Sequence, residues 1–284
     1  MNENNSIKKP SVSGEQAETE FLSSYNINDY ERPSIATDIA VFSMFDEHSD
    51  SHRKDAEPKL HILLIKRGEH PFMNMWALPG GFLKGDETIE ECAAREIYEE
   101  TNLSPISLFP VGVFSDPSRD PRGRIVSNAF VSIVNAEEVD AKCGTDAIKA
   151  EWFRIEFAND SDGVLKLKLT NGCESLTAEL KETKKKFCHK SFEVISNEGI
   201  AFDHPSIIAS ALCSMKNEAE NIEILFDFLP ESFTLASLQR VQETLMGKPL
   251  LTANFRRKVA GYVVETDEFT EGIGHRPARL FKRK

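Results

Sequence analysis

The sequence predicts an α/β protein with a basic, helical C-terminal part. Short runs rich in β-forming residues, together with a helix that begins at a capping signal near residue 89, indicate the α/β class. After residue 221 the pattern changes to a helix, a turn, a basic helix and a strand–loop–strand segment, which is typical of a winged helix. A chain of 284 residues has room for one large or two ordinary domains.

The strands are predicted from β-branched and aromatic residues. The clearest runs are IATDIAVFSMF at 35–45 and LHILLIKR at 60–67, and we interpret the charged segment 46–58 between them as an exposed hairpin loop. Residues 1–33 are polar and predict a loose lead-in. Further strands are predicted at 108–114, 125–134, 150–157, 164–169 and 192–195, and helices from about 205, over 235–246 and over 252–262.

The helix near residue 89 carries an acidic surface. It begins at an S/T-x-x-E capping box, 88–91. Glu96 is followed at i+3 and i+4 by Glu99 and Glu100, and like charges at this spacing destabilise a helix by about 0.2–0.5 kcal/mol per pair. With no basic partner expected nearby, the cluster predicts a bound cation, and hard oxygen ligands favour Mg²⁺ or Mn²⁺. Two alternatives are a solvated acidic face and an Arg95–Glu87 pair that braces the loop against the helix.

The stretch from 81 to 103 resembles the Nudix box, G-x5-E-x7-R-E-U-x-E-E-x-G-U, in which U is a bulky aliphatic residue. The matching residues are Gly81, Glu87, Arg95, Glu96, Ile97, Glu99, Glu100 and Leu103. Asn102 stands where the family has its second glycine, and asparagine is the next best residue for the left-handed conformation expected there. The resemblance implies a Nudix α/β/α sandwich with a mixed sheet, and metal-dependent cleavage of a nucleoside diphosphate derivative.

The resemblance also implies roles for individual residues. Glu96, Glu99 and Glu100 would hold the metal, helped by the Gly81 carbonyl oxygen. Glu87 and Arg95 would orient the loop and the helix. For a general base, the place in the chain leaves two candidates open, Glu151 and Asp120.

A loop rich in arginine, SDPSRDPRGR at 115–124, lies between two predicted strands. Arginine binds phosphate oxygens through two donors at once. We therefore predict that Arg119, Asp120 and Arg122 bind substrate together with Arg67, which ends the second strand. The alternative is a tight turn with exposed charges.

The charge distribution separates an acidic body from a basic tail. The whole chain has a formal charge of −12, which argues against a wholly nucleic-acid-binding protein. Residues 248–284 hold nine Lys/Arg and four Asp/Glu, a net charge of +5, which leaves −17 for the remainder. This split predicts binding of double-stranded DNA by the tail. The predicted DNA contacts are Asn254, Arg256, Arg257, Lys258 and Arg276. The alternative is an accessory or dimerising domain with solvated charges.

The tail sequence FTLASLQRVQETLMGKPLLTANFRRKV is similar to the winged-helix domain of Nudix-related transcriptional regulators of NAD metabolism, and to tails of ADP-ribose pyrophosphatase-like Nudix proteins. The segments FSDPSRDPRGRIVSNAF and IAFDHPSII resemble the same branch. This resemblance implies an ADP-ribose-like ligand and a homodimer. It leaves two functions open, a hydrolase and an ADP-ribose-responsive DNA-binding regulator, which one protein can combine. The predicted domains are 1–33, 34–221 (Nudix) and 222–284 (winged helix).

The five cysteines are odd in number and form no C-x-x-C motif, so we expect reduced thiols rather than a disulfide framework or a zinc site. The first ten residues lack an apolar core, and no apolar run reaches about eighteen residues. These features predict a cytoplasmic protein without contact to a membrane.

Overall fold

The computed structural model describes residues 12–47, 57–103, 107–135, 149–185, 188–270 and 277–284. The chain forms two compact units, Met1–Pro33 and Ser34–Lys284. In the first unit, helix α1 spans Val12–Ser24 and a 3₁₀ turn follows at Ile27–Asp29. The sequence does not predict α1, because its mostly polar residues form no continuous apolar stripe. The predicted loose lead-in stays a prediction, although part of it is helical.

The second unit is built on a mixed sheet. Its strands are β1 Ser34–Glu47, β2 Glu57–Lys66, β3 Trp76–Ala77, β4 Leu108–Phe114, β5 Ile125–Ile133, β6 Ala150–Asn159, β7 Leu165–Thr170, β8 Ser175–Lys185 and β9 Cys188–Glu198. Their order is β4-β5-β1-β2-β6-β7-β8-β9, with β3 paired to β2. Strands β1 and β5 run parallel, whereas the other pairs described in this sheet are antiparallel.

Helices cover both faces of the sheet. Their bounds are α2 Ile89–Thr101, α3 His204–Glu218, α4 Ile222–Phe226, α5 Leu235–Met246 and α6 Thr252–Val259. Successive residues of β1 point to opposite faces. Ile39 packs in one buried cluster with Ile97 of α2, and Ala40 packs in another with Ile207 of α3. The sheet therefore lies between α2 and α3, as the expected α/β/α sandwich requires.

The capping signals of α2 form the contacts that the sequence predicts. The Thr88 hydroxyl accepts a hydrogen bond from the Glu91 N–H at 3.2 Å, and the Glu91 carboxylate accepts one from the Thr88 N–H at 2.7 Å. At the other end, Asn102 adopts the left-handed conformation with φ 56°. Asparagine thus replaces the glycine of the motif without a change in the helix end.

The C-terminal part contains the predicted helix–turn–helix and hairpin. Helix α5 begins after its cap Thr234 and ends before its cap Gly247, whose φ is 66°. After α6, strands β10 Val263–Phe269 and β11 Arg279–Arg283 form an antiparallel hairpin. Leu238 of α5 and Phe255 of α6 belong to the same buried cluster as residues of the sheet and α3. The predicted domain boundaries, including 221/222, stay predictions.

Three elements of the second unit were not predicted: the two-residue strand β3, strand β8 and helix α4. Strand β8 buries Leu176, Ala178 and Leu180 between polar residues, an alternation too short to stand out in the sequence. Helix α4 has only five residues. The predicted 46–58 hairpin loop falls largely outside the described residues, although β1 and β2 pair up to Glu47 and Glu57 on either side of it. Among the described residues, no helix is long and apolar enough to cross a membrane.

Candidate functional site

Arg95 occupies the centre of the acidic surface of α2. Its guanidinium donates to both carboxylate oxygens of Glu87, at 2.7 and 2.9 Å, so the predicted Arg95–Glu87 pair is confirmed. The same group donates to Glu96 at 2.6 Å and to Glu99 at 3.2 Å. The expectation that these glutamates have no basic partner is therefore wrong. Sequence spacing predicted the shared acidic surface, but it did not show that one guanidinium can reach three carboxylates.

Gly81 makes room for the carboxylate of Glu96. A Cβ atom placed on Gly81 would lie 2.3 Å from the Glu96 carboxyl carbon. Because real Cβ contacts are not that short, any side chain at position 81 would displace Glu96. The Gly81 carbonyl oxygen, which the motif assigns to the metal, accepts a hydrogen bond from the Thr37 N–H at 2.9 Å. A carbonyl oxygen has two lone pairs, so this bond leaves it one acceptor position.

Glu100 lies deeper than its neighbours on α2. Its carboxylate accepts a hydrogen bond from the Gly80 N–H at 2.9 Å. Burial, opposed by the Gly80 bond and reinforced by the negative charge of Glu96, raises the pKa of Glu100 to about 8. Glu99, by contrast, has 53% of its side chain exposed. The inner carboxylates of the surface are therefore Glu96 and Glu100.

The chemistry of this pair fits a divalent cation. Within the described ranges, no three His, Cys, Asp or Glu side chains are grouped so as to hold a metal ion, and Arg95 binds one oxygen of Glu96. However, Glu96 and Glu100 are hard oxygen donors one helical turn apart, and the pKa of Glu100 is raised first by burial and also by the charge of Glu96, so a bound cation would favour its charged form. Glu96 and Glu100 would hold the cation, and Glu99 is less enclosed. The choice of Mg²⁺ or Mn²⁺ stays a prediction.

A second, buried network joins the arginine loop to the start of α3. Arg119 donates two hydrogen bonds to Asp203, at 2.7 and 2.9 Å, and one to Asp38 at 3.0 Å. Its side chain is only 5% exposed. Asp38 also accepts a hydrogen bond from the Ser127 hydroxyl at 2.6 Å. The contacts make Arg119 a brace between β1, the loop and α3, and its predicted role as a phosphate ligand stays untested.

His204 completes this network as a neutral imidazole. Its Nδ1 accepts a hydrogen bond from the Leu78 N–H at 2.9 Å, so the ring proton lies on Nε2, 3.2 Å from an oxygen of Asp38. Burial alone would raise the pKa of Asp38. The bonds from His204, Arg119 and Ser127 outweigh burial, and the pKa lies well below its ordinary value of 3.8. Asp38 is therefore charged at neutral pH and anchors the network.

Arg67 and Arg122 lie over the ring of Phe202. The distances from the guanidinium carbons to the ring centroid are 4.8 Å for Arg67 and 5.5 Å for Arg122. Arg122 also lies 5.0 Å from the centroid of Phe82, which follows Gly81 directly. The pKa of Arg67 is lowered by burial and by the charge of Arg122, whereas the charges of Asp120 and Glu100 act in the opposite direction. The structure thus brings two predicted substrate ligands together beside the acidic helix.

The two candidates for a general base have other partners. Asp120 forms an ion pair with Arg122 at 2.7 Å, and this pairing lowers its pKa against the effect of burial. Glu151 pairs with Lys149 at 2.5 Å and accepts a hydrogen bond from Asn171. In the β2–β6 register Glu151 lies opposite Leu64, which packs in the cluster of α3 rather than that of α2. These contacts do not favour Glu151 as the base, and no general base is assigned.

The predicted DNA-binding residues lie on and around α6. Arg256 and Arg257 are exposed, and Arg257 donates to the Asn254 side chain at 2.7 Å. Lys258 donates to the carbonyl oxygen of Glu220 at 3.0 Å, so it contacts the segment that follows α3. Arg256 also lines a cavity of about 540 Å³ between α5, α6 and the hairpin. Arg276 lies outside the described residues.

Sequence reasoning assigned no role to four residues of these clusters, namely Asp38, Phe202, Asp203 and His204. Asp38 had a detectable signal, since it is the only ionisable residue in the apolar run IATDIAVF. Asp203 and His204 form an adjacent ionisable pair in an otherwise apolar segment. The sequence contained no signal of a role for Phe202, because an aromatic residue before a helix is ordinarily part of the core.

Two protein families match separate parts of the chain. Residues 42–170 match the NUDIX domain, and residues 225–282 match the NrtR DNA-binding winged helix domain. The chain joins a NUDIX domain to an NrtR-type winged-helix domain. The resemblance read from the Nudix box and the tail is thereby confirmed. The NUDIX match includes α2 with its Arg95-centred surface, and the winged-helix match includes α5, α6 and the β10–β11 hairpin.

Proteins similar to this chain include a regulator and an enzyme. It is 29% identical over 274 residues to the ADPR responsive transcriptional repressor NtrR of Acinetobacter baylyi, with 95% of this chain and 88% of the repressor covered. It is 45% identical over 109 residues to the ADP-ribose pyrophosphatase of Methanocaldococcus jannaschii. That match spans 37% of this chain and 63% of the pyrophosphatase, less than two thirds of its length.

Solved structures agree with the two-part architecture. A MutT/nudix family protein from Enterococcus faecalis superposes with a TM-score of 0.67 at 25% identity and covers 98% of this chain and 100% of its own. NrtR from Shewanella oneidensis, solved with a 27mer DNA, superposes with a TM-score of 0.62 at 24% identity and covers 88% of this chain and 93% of its own. The predicted fold class, a Nudix α/β/α sandwich with a winged helix, is confirmed.

Proposed function

We propose that this NUDIX protein hydrolyses the diphosphate of a nucleoside diphosphate derivative, and that ADP-ribose is its substrate. The observation that carries the proposal is the position of Arg67 and Arg122 beside the carboxylate surface of α2. Cationic groups that bind phosphate and acidic groups that bind a divalent cation together make a site for a metal-bound diphosphate. The similarity to an ADP-ribose pyrophosphatase supports the choice of ADP-ribose.

The arginines and glutamates of the site have separate roles in the proposed hydrolysis. Arg67 and Arg122 bind and orient the phosphates. Glu96 and Glu100 would hold a divalent cation, and such a cation would supply charge neutralisation of the diphosphate and a lower pKa for the attacking water. Glu87 keeps Arg95 in place, so that Arg95 sets the position of Glu96. The anhydride bond breaks as the attacked phosphorus gains the hydroxyl group of the water molecule. The other phosphate leaves with the oxygen that bridged the two phosphorus atoms.

The proposal is tested by a hydrolysis screen over nucleoside diphosphate derivatives with Mg²⁺, Mn²⁺ or a chelator. We expect turnover of ADP-ribose to AMP and ribose 5-phosphate, which requires the metal. Nucleoside triphosphates should bind more weakly than ADP-ribose in calorimetry. Turnover that is equal across the panel, or absent with every substrate and metal, would contradict the proposal.

A second function is favoured by the position of helix α3. At its start, Asp203 and His204 belong to the network that holds the arginine loop. Just beyond its end, the Ala219 carbonyl oxygen accepts a hydrogen bond from buried Gln242 of α5 at 2.8 Å. One helix thus connects the ligand site to the winged helix. We propose that the protein also binds double-stranded DNA through α6 and that ADP-ribose changes its DNA affinity, as a homodimer in the cytoplasm.

The similarity to an ADPR responsive repressor over 88% of its length supports this second function. Its test is a selection from genomic fragments, followed by mobility shifts with and without ADP-ribose. Enrichment of discrete fragments and a shift that changes with the ligand are the expected results. If no fragment exceeds random DNA at low salt, the regulatory function is excluded, whereas the hydrolase proposal stands.

A further inference from the structure

Phe202 has an unusual backbone for its size. Its φ is 53°, in the left-handed region that bulky side chains rarely adopt. It follows buried Ala201 and precedes Asp203, which Arg119 holds through two hydrogen bonds. Strained conformations of this kind persist where the surrounding structure enforces them, and they are concentrated at functional sites. The strained conformation therefore indicates a role for the ring of Phe202.

The ring lies against two cations. Arg67 and Arg122 lie 4.8 and 5.5 Å from its centroid, within the range of cation–π attraction. Two guanidinium groups near one ring repel each other, and they stay together only if something compensates their charge. Asp120 is the partner of Arg122. Across the described ranges, no carboxylate lies within ion-pair distance of half-buried Arg67. A bound anion from outside the chain would compensate the positive charge of Arg67.

We propose that Phe202 is a positioning residue that sets the specificity of the site for diphosphates. Its ring holds the guanidinium groups of Arg67 and Arg122 side by side, so that together they bind two linked phosphate groups. This inference rests on the proposed function, because it names how that site recognises its ligand. The Arg67 Nε is fixed separately by a hydrogen bond to the Pro71 carbonyl oxygen at 2.8 Å, so its remaining N–H groups are the ones that face an anion.

Phe72 supplies a matched control. It packs edge-on against Phe202, at 4.7 Å between centroids, and its φ of 61° is also left-handed. A change of Phe72 to leucine therefore removes an aromatic ring from the same cluster at a similar backbone conformation. No cation–π contact between an arginine and Phe72 is found in the described structure. The two positions separate the effect of a ring under the arginines from the effect of packing.

The test is calorimetry with the methylene analogue of ADP-ribose, which cannot be cleaved at the diphosphate, and with AMP, which has one phosphate. Phe202→Leu should weaken the analogue about 5-fold, as expected for lost cation–π contacts, and weaken AMP clearly less. Phe202→Tyr, which keeps the ring, should restore the wild-type affinity, and Phe72→Leu should retain it. Thermal melting of each variant identifies any that fails to fold, and Phe202→Met then replaces Phe202→Leu.

Equal losses for the analogue and AMP, no rescue by tyrosine, or the same loss in Phe72→Leu would each overturn the inference. In these cases the wild-type protein still binds the analogue, so the proposed function stands. If the wild-type protein itself does not bind the analogue, the proposed function fails, and the inference fails with it.

Discussion

Arg119 and Asp203 form a two-point ion pair across 84 positions of the chain, with N–O distances of 2.7 and 2.9 Å. The pair joins the arginine loop to the residue that precedes α3. Because the pair fixes the loop to the start of α3, Arg122 keeps one position although the loop contains two Asp-Pro pairs and a glycine. A bidentate arginine–carboxylate pair fixes orientation as well as distance. The loop is therefore part of the rigid frame of the site.

The first prediction concerns this frame. Arg119→Ala should lower the free energy of unfolding by about 3–5 kcal/mol, because it leaves Asp38 buried with one partner fewer. Denaturant unfolding measures the change. Arg124→Ala is a suitable control, since Arg124 is exposed and bonds only a loop carbonyl in the described structure. Equal stability of the two variants would show that the buried pair is not a brace.

The second prediction concerns acid. The pKa of Asp38 is depressed in the folded protein, so its charge stabilises the fold above its ordinary value of 3.8, and this stabilisation is lost as the pH falls below that value. We expect a loss of about 1.4 kcal/mol for each pH unit below 3.8, until the folded pKa is reached. Asp38→Asn should have a lower free energy of unfolding than the wild-type protein at neutral pH. Between pH 4 and 2 its free energy of unfolding should change less than that of the wild-type protein. Parallel pH curves for the two proteins would contradict the assignment.

The third prediction separates two glycines of the Nudix box. Gly81→Ala should reduce turnover about 100-fold, because a Cβ there displaces the Glu96 carboxylate. Gly85→Ala should have nearly wild-type turnover, since a Cβ at Gly85 meets no atom within 4 Å. Steady-state hydrolysis of ADP-ribose measures both variants. Full activity in Gly81→Ala would mean that the Glu96 carboxylate can move without a loss of turnover.

Local sequence signals predicted the elements that depend on local interactions. The capping box at Thr88, the left-handed Asn102 and the α5 caps Thr234 and Gly247 act within one helical turn, so their outcome follows from neighbouring residues. Side-chain partners across the fold were not predictable in this way. Glu151 was considered as a base from its place in the chain, but strand register turns it toward the α3 side of the sheet.

The arginine loop illustrates the same limit. The sequence predicted that its arginines act together at a phosphate site. In the structure Arg119 is buried against Asp38 and Asp203, whereas Arg122 lies over aromatic rings. Which arginine becomes buried depends on carboxylates that are distant in the chain. A single sequence contains no signal for that pairing beyond the isolated charges of Asp38 and Asp203 in apolar segments.

The fourth prediction concerns DNA. Arg256→Ala combined with Arg257→Ala should weaken DNA binding and reduce the slope of log affinity against log salt by about 2, one for each lost phosphate contact. Hydrolysis should be unchanged. Lys166→Ala with Lys168→Ala removes two charges from the sheet instead, and should leave DNA binding intact. Fluorescence anisotropy over a salt series measures the slope, and equal effects of the two pairs would remove α6 from the DNA interface.

The last prediction tests the central claim most directly, and its measurement is the Mg²⁺-dependent conversion of ADP-ribose to AMP by the wild-type protein and by Glu100→Gln. Glutamine keeps the size of the side chain and removes the charge that would hold the cation, so we expect a loss of turnover on the order of 100-fold or more, with the melting temperature retained. Clear wild-type turnover together with this loss is the predicted result. Near-wild-type turnover in Glu100→Gln, or no turnover in either protein, would contradict the account.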